Sequence, residues 1–202
     1  MNYLAFDTSS GALTVLAKKG ECLTVEHLDD CALQHSVLLM DEIDKTLKRA
    51  EMTLEDTEVI ACVVGPGSFT GIRIGIATAK GFCLAAGKPS VPVTAFEIIA
   101  YTLNDDFVLA VVDAGRGYYY ACGFDKDKNI SFEPAYLPQG QIEKLREQYE
   151  VASLEKLPLA TKVVRAEVGF PLAVERAIEK GRFAPLDALY LRKSQAEEQR
   201  KG

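Results

Sequence analysis

Hydrophobic positions along this 202-residue chain alternate between two periods. Tyr3 to Asp7 is an apolar run of strand length, Ala12 to Ala17 and Cys22 to His27 read as its antiparallel neighbours, and Val59 to Val64 is a continuous apolar strand of the kind covered on both faces. Between these, Ser36 to Ala50 places Met40, Ile43 and Leu47 on one helical face, and Thr70 to Ala86 predicts a second long helix. Thr94-Ala95-Phe96-Glu97 has the form of a capping box, in which Thr94 bonds the amide of Glu97 and Glu97 reaches back, so a helix is expected from there to about Leu103. Phe107 to Val112 and Tyr118 to Phe124 return to strand character. Residues 126–185 give little pattern and read as a shortened region.

A repeat organises these elements. Leu4-Ala5-Phe6-Asp7 leads into a turn closed by Gly11, and Val111-Val112-Asp113 leads into one closed by Gly117, each aspartate four residues before a glycine. The expectation is an α/β chain of two lobes, 1–105 and 106–193, meeting near 104–107. The first lobe would hold a five-stranded mixed sheet and three helices, the second would be a reduced copy, and 194–202 would be a polar tail. Carboxylates at the ends of equivalent strands suit a hydrated magnesium and phosphate groups. The competing reading is that aspartate favours turns.

The junction Gly65-Pro66-Gly67-Ser68-Phe69-Thr70-Gly71-Ile72-Arg73-Ile74-Gly75 joins strand to helix with little side-chain bulk. No lysine follows until Lys80, so it is not a Walker P-loop, and Ser68 has Pro66 and Thr70 where a nucleophile elbow needs glycines. Its glycines allow close backbone approach, and the first helical N–H groups favour an anion. Gly71, Gly75 and Ala79 form a strip without bulk, which fits a second helix, in the chain or across a dimer, or packing on the chain's own sheet.

Composition excludes several functions. At 48% hydrophobic residues the chain can bury a proper core, while a net charge of −6, a pI near 5.1 and no basic stripe argue against independent nucleic-acid binding. The five cysteines lack Cys-x2-Cys spacing and read as reduced core thiols, and His27 and His35 lack the spacing of a metal pair. No acyl-transfer site is visible among the His, Cys, Lys and carboxylate positions. No apolar run approaches the ~18 residues of a membrane span and the start is not basic, so no membrane contact and a cytoplasmic location are expected.

Asp7-Thr8-Ser9, His35-Ser36, the Gly65–Ala77 segment, Lys80-Gly81 and Tyr190-Leu191-Arg192-Lys193 together resemble the TsaB (YeaZ) family of tRNA threonylcarbamoyladenosine biosynthesis. The resemblance implies the duplicated actin, Hsp70 and sugar-kinase fold, ribonuclease H-like in each half. It implies a non-catalytic subunit that binds and activates TsaD for threonylcarbamoyl transfer to the adenosine beside the tRNA anticodon. TsaE would join them, a homodimer would form when TsaD is absent, and tRNA would be met only through the partner. ATP or ADP and metal would belong to TsaD and TsaE, with no cofactor of the chain's own. The implied interface is Ser36, Leu39, Met40, Ile43, Leu47, Gly71, Ile72, Gly75, Ile76, Ala79 and Phe82. Asp7, Thr8, Ser9, Gly67, Ser68, Asp113 and Arg116 would form a cleft inherited from a nucleotide-binding ancestor. The chain departs from kinases of this fold in offering only Gly169 where they present a glycine pair to adenine. The rivals are a small-molecule kinase using Asp7 and Asp113 around Mg-ATP, and a glycoprotease-like peptidase.

Overall fold

The computed structural model describes residues 1–192; the expected tail 194–202 and Lys193 lie outside the described residues. Two five-stranded sheets share one plan. In the first, β1 (Tyr3–Asp7), β2 (Leu13–Lys19) and β3 (Cys22–Leu28) form an antiparallel meander, and β4 (Val59–Val63) and β5 (Ser90–Val93) add in parallel, giving the order β3-β2-β1-β4-β5. In the second, β6 (Val108–Gly115), β7 (Tyr118–Phe124) and β8 (Ile130–Pro138) form the meander, and β9 (Glu150–Ser153) and β10 (Lys162–Val163) add in parallel, giving β8-β7-β6-β9-β10. The duplication therefore covers all five strands. What is reduced is helical: α1 (His35–Arg49) has 15 residues and its counterpart α4 (Gln139–Leu145) has 7, and only a turn links β9 to β10 where the 18-residue α2 (Phe69–Ala86) links β4 to β5.

Strand alternation sorts the cores. Leu4 and Phe6 of β1 face α1 and α2, in a cluster with Leu39, Ile43, Ile72 and Ile76, while Tyr3 and Ala5 face α5 (Ala166–Glu179) through Phe170, Ala173 and Val174. The two lobes exchange helices. Phe96, Ile99 and Ala100 of α3 (Ala95–Tyr101), which follows the first sheet in sequence, pack on Ala110 and Cys122 of the second, whereas α5, which follows the second sheet, packs on the first. The capping box of Thr94 and Glu97 starts α3 as its sequence predicts. After α5 the chain returns along the first lobe: the Ala184 and Leu189 N–H groups donate to the Ser90 and Val64 carbonyls, and Leu186 is buried among α1 and α2 residues.

Cys31, Cys62 and Cys122 are buried and all five thiols are free, but Cys22 is exposed, so the expectation of core thiols fails at that position.

Candidate functional site

The strand-to-helix junction is built to hold the end of β1. Ser68 caps α2 by accepting from the Gly71 N–H at 3.2 Å and donates its own N–H to the Ser9 carbonyl at 2.6 Å. The Thr8 hydroxyl donates to the Gly71 carbonyl at 2.7 Å. A Cβ on Gly67 would lie 2.1 Å from the Ser9 carbonyl oxygen, and one on Gly71 1.8 Å from that of Thr8. Two of the donors expected to meet an anion are thus spent inside the chain.

The glycine strip is a correction to the helix-pairing expectation. A Cβ on Gly75 would meet Thr8 Oγ1 at 2.5 Å and Cys62 Sγ at 3.2 Å, so the strip packs on the chain's own sheet. Leu39, Ile43, Gly71, Ile72, Gly75, Ile76 and Ala79 are buried in the first lobe and present no surface to a partner. Ser36 and Met40 are exposed, and Leu47 and Phe82 are half-buried. A charge introduced at Gly75 therefore measures folding, not association. The close helix contact forms instead at Gly169, whose Cβ would lie 2.0 Å from the Ile98 carbonyl oxygen of α3.

A cleft of about 170 Å³ opens between the lobes, lined by Ser9, Gly67, Ser68 and Asp113 together with Ser153 and Glu155. Asp7, Thr8 and Arg116 do not line it, which corrects the expected set. Asp7 is 2% exposed and accepts from the Ser9 N–H at 2.7 Å; Asp113, which is exposed, accepts from the Gly115 N–H at 2.9 Å. The repeat thus conserves an Asp-capped turn in both lobes, the role that turn propensity alone assigns. Asp7 is buried with one oxygen given to its own backbone and Asp113 lines the cleft, so the two carboxylates do not meet there. Among the described residues no group of three or more His, Cys, Asp or Glu is placed to hold a metal ion. His35 bonds the Ala12 carbonyl at 3.0 Å, and His27 bonds Thr14 and Asp29, so the histidines are structural.

Burial pushes the Asp7 carboxyl above the ordinary carboxylate range, against the pull of its hydrogen bonds to Ser9. The folded chain then holds this proton more tightly than the unfolded chain. Stability from this group is full at low pH and is lost as pH rises through the raised value. Asp7→Asn keeps an acceptor for the Ser9 N–H, so thermal melts should show the variant above wild type at neutral pH, with the gap closing toward about pH 4. A gap that stays constant across that range would refute the buried-proton account.

The outer faces of α1 and α2 carry the remaining signal. Val37 and Met40 on α1 are 72% and 52% exposed, Leu33 in the turn before α1 is 96% exposed, and Leu84 on α2 is 88% exposed. α2 has 18 residues and a mean hydropathy of 1.2, and its Gly71, Gly75 and Ala79 face is packed on the sheet as a core helix would be. Only 28% of its residues are buried. The late Tyr-Leu-Arg motif closes onto this helix: Tyr190 stacks on Phe69 at 4.6 Å, and Arg73, 3.9 Å over the Phe69 ring, donates to the Tyr190 hydroxyl. Periodicity missed Phe69 and Arg73 as the seat of that motif because the contact spans the whole chain.

A family model described as TsaD, tRNA N6-adenosine threonylcarbamoyltransferase, matches residues 29–179. The chain is 32% identical over 133 residues to the tRNA threonylcarbamoyladenosine biosynthesis protein TsaB of Escherichia coli, covering 64% of this chain and 57% of that protein. It is 30% identical over 122 residues to the TsaB of Bacillus subtilis, covering 59% and 53%. An uncharacterized protein of Mycobacterium bovis is 30% identical over 205 residues, covering 96% of this chain and 92% of its own length. The chain spans about half the length of the curated TsaB relatives it matches. The solved structure of YeaZ from Pseudomonas aeruginosa superposes with a TM-score of 0.79 at 20% identity, covering 94% of this chain and 99% of that one, so the two share a fold.

Proposed function

We propose, from the premise that this chain belongs to the TsaD family and is of the TsaB (YeaZ) type, that it takes part in tRNA threonylcarbamoyladenosine biosynthesis as a non-catalytic subunit. Its role is to bind and order a like-folded TsaD for threonylcarbamoyl transfer to the adenosine beside the anticodon, in the cytoplasm. TsaE is a further partner, ATP or ADP and metal reside in TsaD and TsaE, and tRNA is met through them. In the absence of TsaD the chain pairs with itself.

The observation that carries this reading is the apolar outer layer formed by α1 and α2. Val37 and Met40 stand exposed in the first turns of α1 and Leu84 in the last turn of α2, on helices whose opposite faces are already packed, and large apolar side chains left bare on packed helices favour a partner site. The net charge of −6 fits a protein partner better than a phosphate backbone.

The test is Val37→Glu combined with Met40→Glu, both at exposed positions and therefore compatible with the fold. If these side chains anchor the interface, TsaD capture should weaken by about 30-fold or more, the effect of removing a hot spot, and sedimentation should report a monomer. In a reaction reconstituted with TsaD, TsaE, tRNA, ATP, threonine and bicarbonate, the variant should slow modification in step with its lost binding. Wild-type capture and wild-type sedimentation mass would place the interface elsewhere, and modified tRNA made without TsaD would overturn the non-catalytic assignment.

A further inference from the structure

Among the described residues, the buried side-chain nitrogens without a hydrogen-bond partner are Lys128 Nζ, Arg176 Nε and Arg182 Nε. All three belong to one neighbourhood. Lys128 and Arg182 line a cavity of about 330 Å³ between α3, the turn from β7 to β8 and the end of α5, and Lys180 faces it as well. The Arg176 guanidinium lies 5.1 Å over the ring of Tyr101, another wall of the cavity, and donates to the Asp127 carbonyl beside Lys128.

None of the nearby carboxylates makes a hydrogen bond to Lys128 Nζ. Glu97, the one acid among the described lining residues, pairs with Arg182 and accepts from the Thr94 N–H at 2.8 Å. Asp105 holds Lys162 through both oxygens at 2.7 and 2.8 Å, and Asp125 accepts from the Asn129 N–H at 2.8 Å. Lys128 is half-buried, and its occluded ammonium makes no hydrogen bond although Asp105 and Asp125 lie near enough to act on its charge, a costly arrangement for the donor. Burial pushes its amine below the ordinary lysine value, and the Arg176 charge adds to the fall, while Asp105 and Asp125 oppose it. Phe96, Tyr101, Phe124, Ile130 and Pro134 add apolar wall, beside the polar Thr94 and Asn129.

We propose that this cavity binds a phosphate monoester carried on a flat apolar body. Lys128, Arg176, Lys180 and Arg182 against Glu97, Asp125 and Glu133, with Asp105 paired to Lys162, leave an excess of one positive charge, and the ammonium and guanidinium donors suit the several oxygens of a phosphate better than the two of a carboxylate. In a chain of net charge −6 the excess is local, built by this turn and helix end. The site lies outside the interlobe cleft and the α1 and α2 surface, so it stands or falls apart from the proposed subunit role.

Phenyl phosphate, inorganic phosphate and benzoate are the probes, read by thermal melts and calorimetry on the full chain. Phenyl phosphate at ten times its Kd should raise Tm by about 3–6 °C, and phosphate and benzoate should bind more weakly. Lys128→Met should melt above wild type without ligand, because the unpartnered charge is gone, and should lose the phenyl phosphate shift. Lys180→Ala, at an exposed position, should weaken binding several-fold and leave Tm unchanged. No shift in wild type, a shift retained by Lys128→Met, or Lys128→Met melting below wild type would overturn the site. Benzoate matching phenyl phosphate would overturn the phosphate assignment.

Discussion

Gly71→Ala should destabilise the chain by about 3 kcal/mol or more, the upper end of overpacking costs, and lower Tm by about 6–12 °C. The reason is the carbonyl oxygen of Thr8, just past the end of β1 and 1.8 Å from where the new methyl would stand, in a residue tied to the same glycine by its hydroxyl bond to the Gly71 carbonyl. Gly81, on the same helix, has nothing within 4 Å of its Cβ position. Gly81→Ala should therefore stabilise by up to about 1 kcal/mol through helix propensity alone. Chemical denaturation of the two variants gives the sign of each. Equal effects would mean that the strip does not hold the end of β1.

The second large effect is expected at Gly169. A side chain there would meet the Ile98 carbonyl oxygen at 2.0 Å and Thr102 Oγ1 at 2.3 Å, prising α5 from α3. Each of those helices covers the sheet of the other lobe, so the damage reaches both cores. Gly169→Val should cost more than about 3 kcal/mol and lower the midpoints reported by first-lobe and second-lobe probes together. A variant whose second lobe melts at the wild-type midpoint would refute the coupling. Gly169, the lone glycine where kinases of this fold present a pair to adenine, has a packing role here.

Much of the fold is legible in local sequence because local rules decide it. β1 and β7 fall at Tyr3–Asp7 and Tyr118–Phe124 as read, and α1, α2 and the capped start of α3 lie within a residue or so of their expected bounds. Proline or glycine hid three of the other elements. β5 contains Pro92, tolerable at the outer side of a sheet, β8 contains Pro134, and α5 carries Pro171 and Gly169 in its interior, so each scores poorly as strand or helix and is held by tertiary packing. The site was harder still. A strip of Gly71, Gly75 and Ala79 states only that something comes close; whether it is a helix or the backbone of Thr8 depends on where β1 ends, which no spacing along α2 encodes. Asp7 and Asp113 show the same limit, since their matching position in the repeat is real while one is buried and the other exposed.

The helix exchange between the lobes also bears on how the chain comes off the ribosome. Synthesis proceeds from the N-terminus and domains generally fold as they emerge, but the first sheet has Tyr3 and Ala5 bare until Phe170 and Ala173 arrive, and α1 and α2 lack Leu186 until still later. The N-terminal half is therefore committed to wait with an apolar sheet face uncovered. Nascent chains stalled after residue 125 should be protease-sensitive and bind chaperone, and only release of residues beyond about Tyr190 should let both halves lock at once. Such a chain has no early-folding half to fall back on.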